Sequence, residues 1–305
     1  DLEDEENMPI YGIIPEIDIA FTVSGRRFSY WNLSSKNSLE NIIELNKPII
    51  SVGLVKPPEG FFNGLECQYM LMLGSDHKLF PCDISFKNQY SRGKITEINR
   101  MKFSIPCEDI SYEKIKCTHD SRIFVGCKNS KLNEIHFKAS KTWITNKVKK
   151  HVEMKDAQQT SLLWKLIPKI FSFGAKEIES IEIDEDRHLL YTLSFSEFDE
   201  IQDIRPCSID IYHLGPFGES MSKVTTISQV DLKNTYDKFI STKDEQPLQI
   251  VSLHYVNITE SQNIQFMLVT SRGIRIYFSL STVNYIDEKM KKVKNIDYTV
   301  YFNEK

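Results

Sequence analysis

A weak internal repeat constrains this chain more than any other feature. Five times, an apolar run meets a short turn of Gly, Ser, Asn or Asp and is followed by a second run with strand-like alternation. The first pair is Ile19 to Val23 and Phe28 to Leu33 around Ser24-Gly25. The second is Tyr69 to Leu73 and Leu79 to Phe86 around Gly74 to Asp76. The third is Arg122 to Val125 and Leu132 to Phe137 around Lys128 to Ser130. The fifth is Gln265 to Val269 and Ile274 to Ser279 around Ser271 to Gly273. The fourth is looser: an acidic loop with Glu197, Asp199, Glu200 and Asp203 separates His188 to Ser194 from Ser208 to Leu214.

Further apolar or alternating segments precede pairs two to five, at Ile49 to Val55, Ile110 to Cys117, Ile178 to Asp184 and Leu248 to Val256. Each unit therefore has at least three strands. Adding a fourth from segments such as Val224 to Val230 makes the sheet of a propeller blade. The fold class is all-β, a β-propeller, with a β-sandwich as the competing reading of many short strands and frequent turns. Asp297 to Phe302 reads as the first strand of another blade. The chain is thus expected to hold an incomplete set of about five blades over residues 15–305, after an acidic N-terminal extension at 1–14.

One segment departs from the repeat. Residues 138–176, between the third and fourth blades, hold nine lysines against two acids, a formal charge of +7. The whole chain carries -4, so the remainder carries -11, and an anionic partner is expected for the insert. In its second half Leu163, Leu166, Ile167 and Ile170 recur at helical spacing, with Lys165, Lys169 and Ser172 opposite. Pro168 favours two short turns over one rod. An apolar stripe with aromatic residues and a lysine face fits a membrane-surface segment. Packing beneath the propeller explains the same stripe. Nucleic acid is disfavoured, since Trp143 is the one obvious stacking residue in the basic half.

The sequence carries no familiar catalytic or cofactor signature. It has no G-x-S-x-G, no glycine-rich phosphate loop, no H-E-x-x-H and no zinc-ligand spacing among its six cysteines and seven histidines. No enzyme activity, cofactor, metal or small-molecule substrate is expected. His119-Asp120 and Asp186-Arg187-His188 are the suggestive neighbours, and a hydrogen-bonded turn explains both. The cysteines, Cys67, Cys82, Cys107, Cys117, Cys127 and Cys207, read as reduced and mostly buried thiols. Asp1 opens an acidic run with no initiator Met and no secretory pattern, so the chain reads as excised from something longer. No apolar stretch is long enough to span a bilayer.

Several motifs, in order, resemble the inner-ring nucleoporins of the 155/170 type. They are Phe28 to Asn32 (F-S-Y-W-N), Ser51 to Pro57 (S-V-G-L-V-K-P) continuing to Gly60-Phe61-Phe62, and Arg122-Ile123-Phe124 with its G-x-K turn. Ser161 to Phe173 with its L-I-P follows, then Arg187 to Thr192, Ile211 to Gly215, Met221-Ser222 and Arg272 to Ser279. The resemblance implies a seven-bladed N-terminal propeller ahead of a helical solenoid, in a nuclear pore scaffold that links the inner ring to the nuclear envelope. It implies other inner-ring and pore-membrane nucleoporins as partners, together with the envelope lipid surface. It also implies a membrane-binding amphipathic motif in the loop between the third and fourth blades. Here that motif is Leu162, Leu163, Trp164, Lys165, Leu166, Ile167, Lys169, Ile170, Phe171 and Phe173. The alternative is a soluble propeller that binds proteins without lipid contact.

Overall fold

A computed structural model describes residues 9–35, 40–58, 68–75, 77–89, 93–107, 110–127, 131–141, 148–156, 177–200, 204–215, 221–239, 248–282 and 296–303. They form five antiparallel sheets, four of four strands in chain order and one of four with a fifth short strand added. The chain divides into two compact units: residues 1–127 with 133–155, and residues 128–132 with 156–305.

The first unit carries three sheets. In sheet 1, β1 (Ile10–Ile14), β2 (Ile19–Ser24), β3 (Arg27–Asn32) and β4 (Asn41–Glu44) pair in order. Alternation drives the pairing: Ile19, Phe21 and Val23 of β2 are buried, while Thr22 and Ser24 are exposed. Ser24 pairs with Arg27, so the hairpin loop has two residues, and Gly25 at φ 54° supplies the left-handed backbone such a loop needs at its first position. Sheet 2 consists of β5 (Ser51–Val55), β6 (Met70–Ser75), β7 (Lys78–Gln89) and β8 (Gly93–Arg100), with β9 (Ile105–Pro106) also paired to β7. Sheet 3 consists of β10 (Ile110–Cys117), β11 (Ile123–Cys127), β12 (Leu132–Lys141) and β13 (Val148–Asp156).

The sheets stack face to face. Phe21, Phe28 and Ile43 of sheet 1 share one core with Leu71, Leu73, Ile84 and Ile98 of sheet 2. Met70, Met72 and Leu79 on the other face of sheet 2 share a second core with Ile115, Ile123, Val125 and Ile135 of sheet 3. Covered on both faces, β6 is buried along its whole length, which is why it reads as a continuous apolar run, and β11 is buried along its length too. Sheets 2 and 3 approach closely at Gly53, where an added Cβ would lie 2.5 Å from the Cβ of Ile115.

Side chains of sheet 1 also close the edge of sheet 2. The free side of β8 would expose unpaired backbone groups. Asn32 Oδ1 accepts the Thr96 N–H at 2.6 Å and its Nδ2 donates to the Thr96 carbonyl at 3.3 Å, as a neighbouring strand would. The Tyr30 hydroxyl accepts the Ile98 N–H at 3.0 Å, and Thr96 Oγ1 donates to the Ile17 carbonyl at 2.6 Å. Two residues of the F-S-Y-W-N motif thereby stand in for a further strand beside β8.

The second unit holds two sheets. Sheet 4 is β14 (Glu177–Asp184), β15 (Leu189–Phe195), β16 (Cys207–His213) and β17 (Ser222–Ser228). Sheet 5 is β18 (Ile250–Tyr255), β19 (Phe266–Thr270), β20 (Arg275–Thr282) and β21 (Ile296–Asn303). One core joins them, with the Tyr191 and Phe266 rings 5.0 Å apart and Phe266 stacked on Phe278 at 4.4 Å. Helix α1 (Gln229–Phe239) connects the two sheets and buries Leu232 and Tyr236 in that core. Ser228 and Asp231 cap its start reciprocally, the Ser228 hydroxyl donating to Asp231 at 2.6 Å and accepting the Asp231 N–H at 3.2 Å.

Three sequence expectations change. Asp297 to Phe302 does not open another blade: β21 pairs with β20 from Arg275↔Asn303 to Thr282↔Ile296 and completes sheet 5. Strand alternation does not encode which neighbour a strand joins, and residues 283–295 separate β21 from β20. Ile10–Ile14, expected in the N-terminal extension, is the first strand of sheet 1. Val230 belongs to α1, since the strand before it ends at Ser228.

Candidate functional site

The ten positions from Leu162 to Phe173 lie outside the described residues. Of the basic segment 138–176, the described parts are the end of β12 at Lys141 and the strand Val148–Asp156, the outermost strand of sheet 3.

The two histidine neighbourhoods are turns. His119 and Asp120 sit in the β10–β11 connection, where the Thr118 N–H donates to the Arg122 carbonyl at 2.9 Å and the Thr118 hydroxyl bonds Asp120. Arg122 leaves that turn to form a buried pair with Glu134, donating from Nε at 2.8 Å and from Nη2 at 3.1 Å. His188 ends the β14–β15 turn at φ 54°, its N–H donating to the Glu185 carbonyl at 3.1 Å. Its ring lies 6.5 Å from that of His213, whose Nδ1 accepts the Gly215 N–H at 3.1 Å. Burial, and then the neighbouring His188, lower the pKa of His213.

The other shifted groups move away from their charged forms. Burial, followed by the charge of Asp83, pushes the Cys82 thiol up to about 12, which disfavours a thiolate nucleophile. Burial likewise raises the phenols of Tyr30 and Tyr191. Asp210 is held by Lys223 at 2.7 Å, by the Thr226 hydroxyl at 2.8 Å and by the Tyr212 hydroxyl at 3.2 Å. Among the described residues, no group of three or more His, Cys, Asp or Glu could hold a metal ion. None of the five described cysteines forms a disulfide, and Cys82, Cys107, Cys127 and Cys207 are buried.

The least satisfied surface among the described residues is apolar. On sheet 1, the face away from sheet 2 carries a charged row, Ser24, Arg27 and Glu44, and two uncharged cross-strand rows. One runs Tyr11, Thr22, Ser29, Ile42 and the other Ile13, Ala20, Trp31. Tyr11 is 78% exposed, Ile13 66% and Ile42 44%, and Leu33, next to the end of β3, is 50% exposed. Neither row contains a charged residue. Large exposed apolar patches mark sites of association rather than bond-making chemistry. Sequence reading missed this face, although the run Ile10-Tyr11-Gly12-Ile13-Ile14 is apolar at both parities, the signature of a strand covered on both faces.

Comparison with known proteins fits this architecture. The family described as Nup133 N terminal like matches residues 2–302. Nuclear pore complex protein Nup154 of Drosophila melanogaster is 28% identical over 274 residues, covering 90% of this chain and 19% of the relative. Nucleoporin NUP170 of Saccharomyces cerevisiae is 22% identical over 301 residues, covering 92% and 19%. The chain thus spans about a fifth of the length of these relatives. The solved Nup170 N-terminal domain of Chaetomium thermophilum, in complex with Nup53, superposes with a TM-score of 0.70 at 20% identity, over 92% of this chain and 37% of that one. That likeness establishes the fold as a β-propeller. The chain belongs to the Nup133 N terminal like family and, within it, to the nucleoporin N-terminal domains of the 155/170 group.

Proposed function

We propose that this chain is part of the N-terminal propeller of a structural scaffold component of the nuclear pore complex, held at the nuclear envelope through contacts with other nucleoporins and with the membrane. The family match across residues 2–302 carries the reading. A solved relative captured with Nup53 supports nucleoporins as partners. The role is architectural: within each unit the sheets pack through shared cores, and the buried thiol of Cys82 and the well-bonded Asp210 suit stability rather than turnover. Fluorescent tagging of the full-length protein tests the assignment. A punctate rim at the nuclear envelope is expected, and diffuse distribution in interphase cells would refute it.

Lipid contact is assigned to Leu162, Leu163, Trp164, Leu166, Ile167, Ile170, Phe171 and Phe173 as the inserting face, with Lys165 and Lys169 toward anionic headgroups. Each large apolar side chain removed from water contributes roughly 1.5 to 3 kcal/mol, and each lysine near an anionic surface about 1 kcal/mol. Insertion therefore outweighs charge at physiological salt. Flotation with small anionic liposomes should recover the parent protein but not a Trp164→Asp, Phe171→Asp variant. Equal flotation of both would assign the segment to packing within the protein, leaving a propeller that binds proteins alone.

A further inference from the structure

Two buried sulfurs meet where sheets 2 and 3 join. Cys107 lies one residue past β9, the short strand that pairs with β7 of sheet 2, and its N–H donates to the His77 carbonyl at 2.7 Å. Cys127 ends β11 of sheet 3. The two Sγ atoms lie 3.8 Å apart, one thiol donating to the other, with Cys107 1% exposed and Cys127 0%. Both belong to the core that sheets 2 and 3 share, together with Met70 and Met72.

We propose that Cys107 and Cys127 form a reversible disulfide when a peroxide oxidises the protein, stapling sheet 2 to sheet 3. The inference goes beyond the scaffold reading and stands whether or not the protein sits at the pore.

Geometry carries it. A disulfide is about 2.0 Å long, so roughly 1.8 Å of closure is shared by two side chains. Cys107 follows the last residue of β9 and Cys127 is the last of β11, and strand ends yield more readily than strand centres. The attack is assigned to Cys127. Its Sγ accepts from Asn133 Nδ2 at 3.2 Å, so a donor is in place for the negative charge of a thiolate, and Asn133 is itself only half-buried.

The chemistry balances. The Cys127 thiol takes one oxygen from hydrogen peroxide, giving a sulfenic acid and one water. The Cys107 sulfur then displaces hydroxide from the sulfenic sulfur, the S–S bond forms, and the S–H proton leaves with that hydroxide as a second water. Each sulfur has lost one electron and the peroxide has gained two. A thiol already touching the sulfenic acid intercepts it before a second peroxide drives it irreversibly to sulfinic acid. Glutathione restores both thiols by exchange, so the pair rests reduced in a nuclear or cytosolic setting.

Full-length protein, reduced and then exposed to graded hydrogen peroxide, tests the proposal. Remaining thiols are alkylated in denaturant, the protein is digested without reduction, and the peptides are identified by mass spectrometry. The expected result is a joint loss of alkylation at positions 107 and 127, a peptide pair linked between them, and recovery of both thiols with dithiothreitol. Met70 and Met72, each 0% exposed in the same core, gauge how far peroxide has penetrated. Sulfoxide at either methionine while Cys107 and Cys127 still alkylate overturns the proposal. A link from either sulfur to another cysteine or to a second copy overturns it too, as does sulfinic acid at Cys127 ahead of the linked pair. In a Cys107→Ala variant, Cys127 should run on to sulfinic acid, and oxidation that stays reversible there would assign it another partner. Cys82, whose thiol burial pushes up to about 12 and whose Sγ donates to the Phe80 carbonyl at 3.8 Å, is the control: Cys82→Ala should leave the linked pair unchanged. The linked peptide of the parent protein decides the outcome even where the Cys107→Ala chain folds poorly.

Discussion

The guanidinium of Arg187 closes on the buried carboxylate of Asp184 at 2.7 Å, and its remaining donors end on carbonyls of the loop between β18 and β19. Those carbonyls belong to Val256 at 3.0 Å, Ser261 at 2.6 Å and Ile264 at 3.4 Å. One side chain from the β14–β15 turn thus pins sheet 4 to sheet 5. Replacing Arg187 by Ala leaves Asp184 buried and uncompensated and frees three carbonyls, so a loss of about 3 to 5 kcal/mol is expected in urea unfolding. Arg187→Lys should recover only part of it, because an ammonium cannot reproduce the planar fork.

Arg122 and Glu134 form the corresponding pair in sheet 3, with side chains 2% and 7% exposed. Arg122→Met alone should cost about 3 to 5 kcal/mol by stranding a buried carboxylate. The double variant Arg122→Met, Glu134→Leu should cost less than the single one. A double-mutant cycle measures the difference, and a double variant worse than the single would show that the charge itself is needed.

Gly53 sits where β5 and β10 approach closely. Gly53→Ala places a methyl group 2.5 Å from Ile115 Cβ, so the sheets must separate or shift. A loss of about 1 to 3 kcal/mol is expected. Adding Ile115→Val should not restore the stability, because valine keeps the Cβ and Cγ2 that the new methyl meets at 2.5 and 2.8 Å, and a recovery in thermal unfolding would show that the strain lies elsewhere.

Acid sensitivity follows from His213. Its folded-state pKa is lowered, by burial first and then by His188, so the unfolded chain binds the proton more readily. The stabilising contribution is fully present above the unfolded value of about 6.5 and is lost as pH falls toward the folded value. Protonation also removes the acceptor for the Gly215 N–H. His213→Gln should flatten the dependence of stability on pH below 6.5, approximately the unfolded pKa, and an unchanged slope would show that other groups govern it.

The hairpins were legible because two alternating runs around a turn residue are a local signal: Gly25 fixes one such turn and Gly273, at φ 79°, another. Outer strands were less so. Asn41–Glu44 is four residues long with two exposed positions, and Gly93–Arg100 is held partly by Asn32 and Tyr30, partners more than sixty residues away, as the separation of 64 between Asn32 and Thr96 illustrates. The strand Ile296–Asn303 was visible as a strand, but its neighbour was not, since alternation is blind to pairing. Helix α1 did announce itself through Ser228 and Asp231 at capping-box spacing, masked by the strand-like run beginning at Val224. The apolar face around Tyr11 and Trp31 escaped notice because an uncovered apolar row and a covered one have the same sequence. The amphipathic stretch Ser161 to Phe173 poses the same ambiguity, because insertion into lipid and burial in protein select the same residues.

Chain order gives the capped edge of β8 a meaning in time. Asn32 precedes Thr96 by 64 residues, so at ribosomal rates of about 5 to 20 residues per second the cap is synthesised roughly 3 to 13 seconds before the strand it covers. When β8 emerges, the groups that satisfy its open side are already in place upstream. On a polysome, where identical nascent chains crowd together, that sequence of events withholds a pairing template from neighbouring copies from the moment the strand exists. The side chains of β3 thus act as a chaperone that the chain carries for itself.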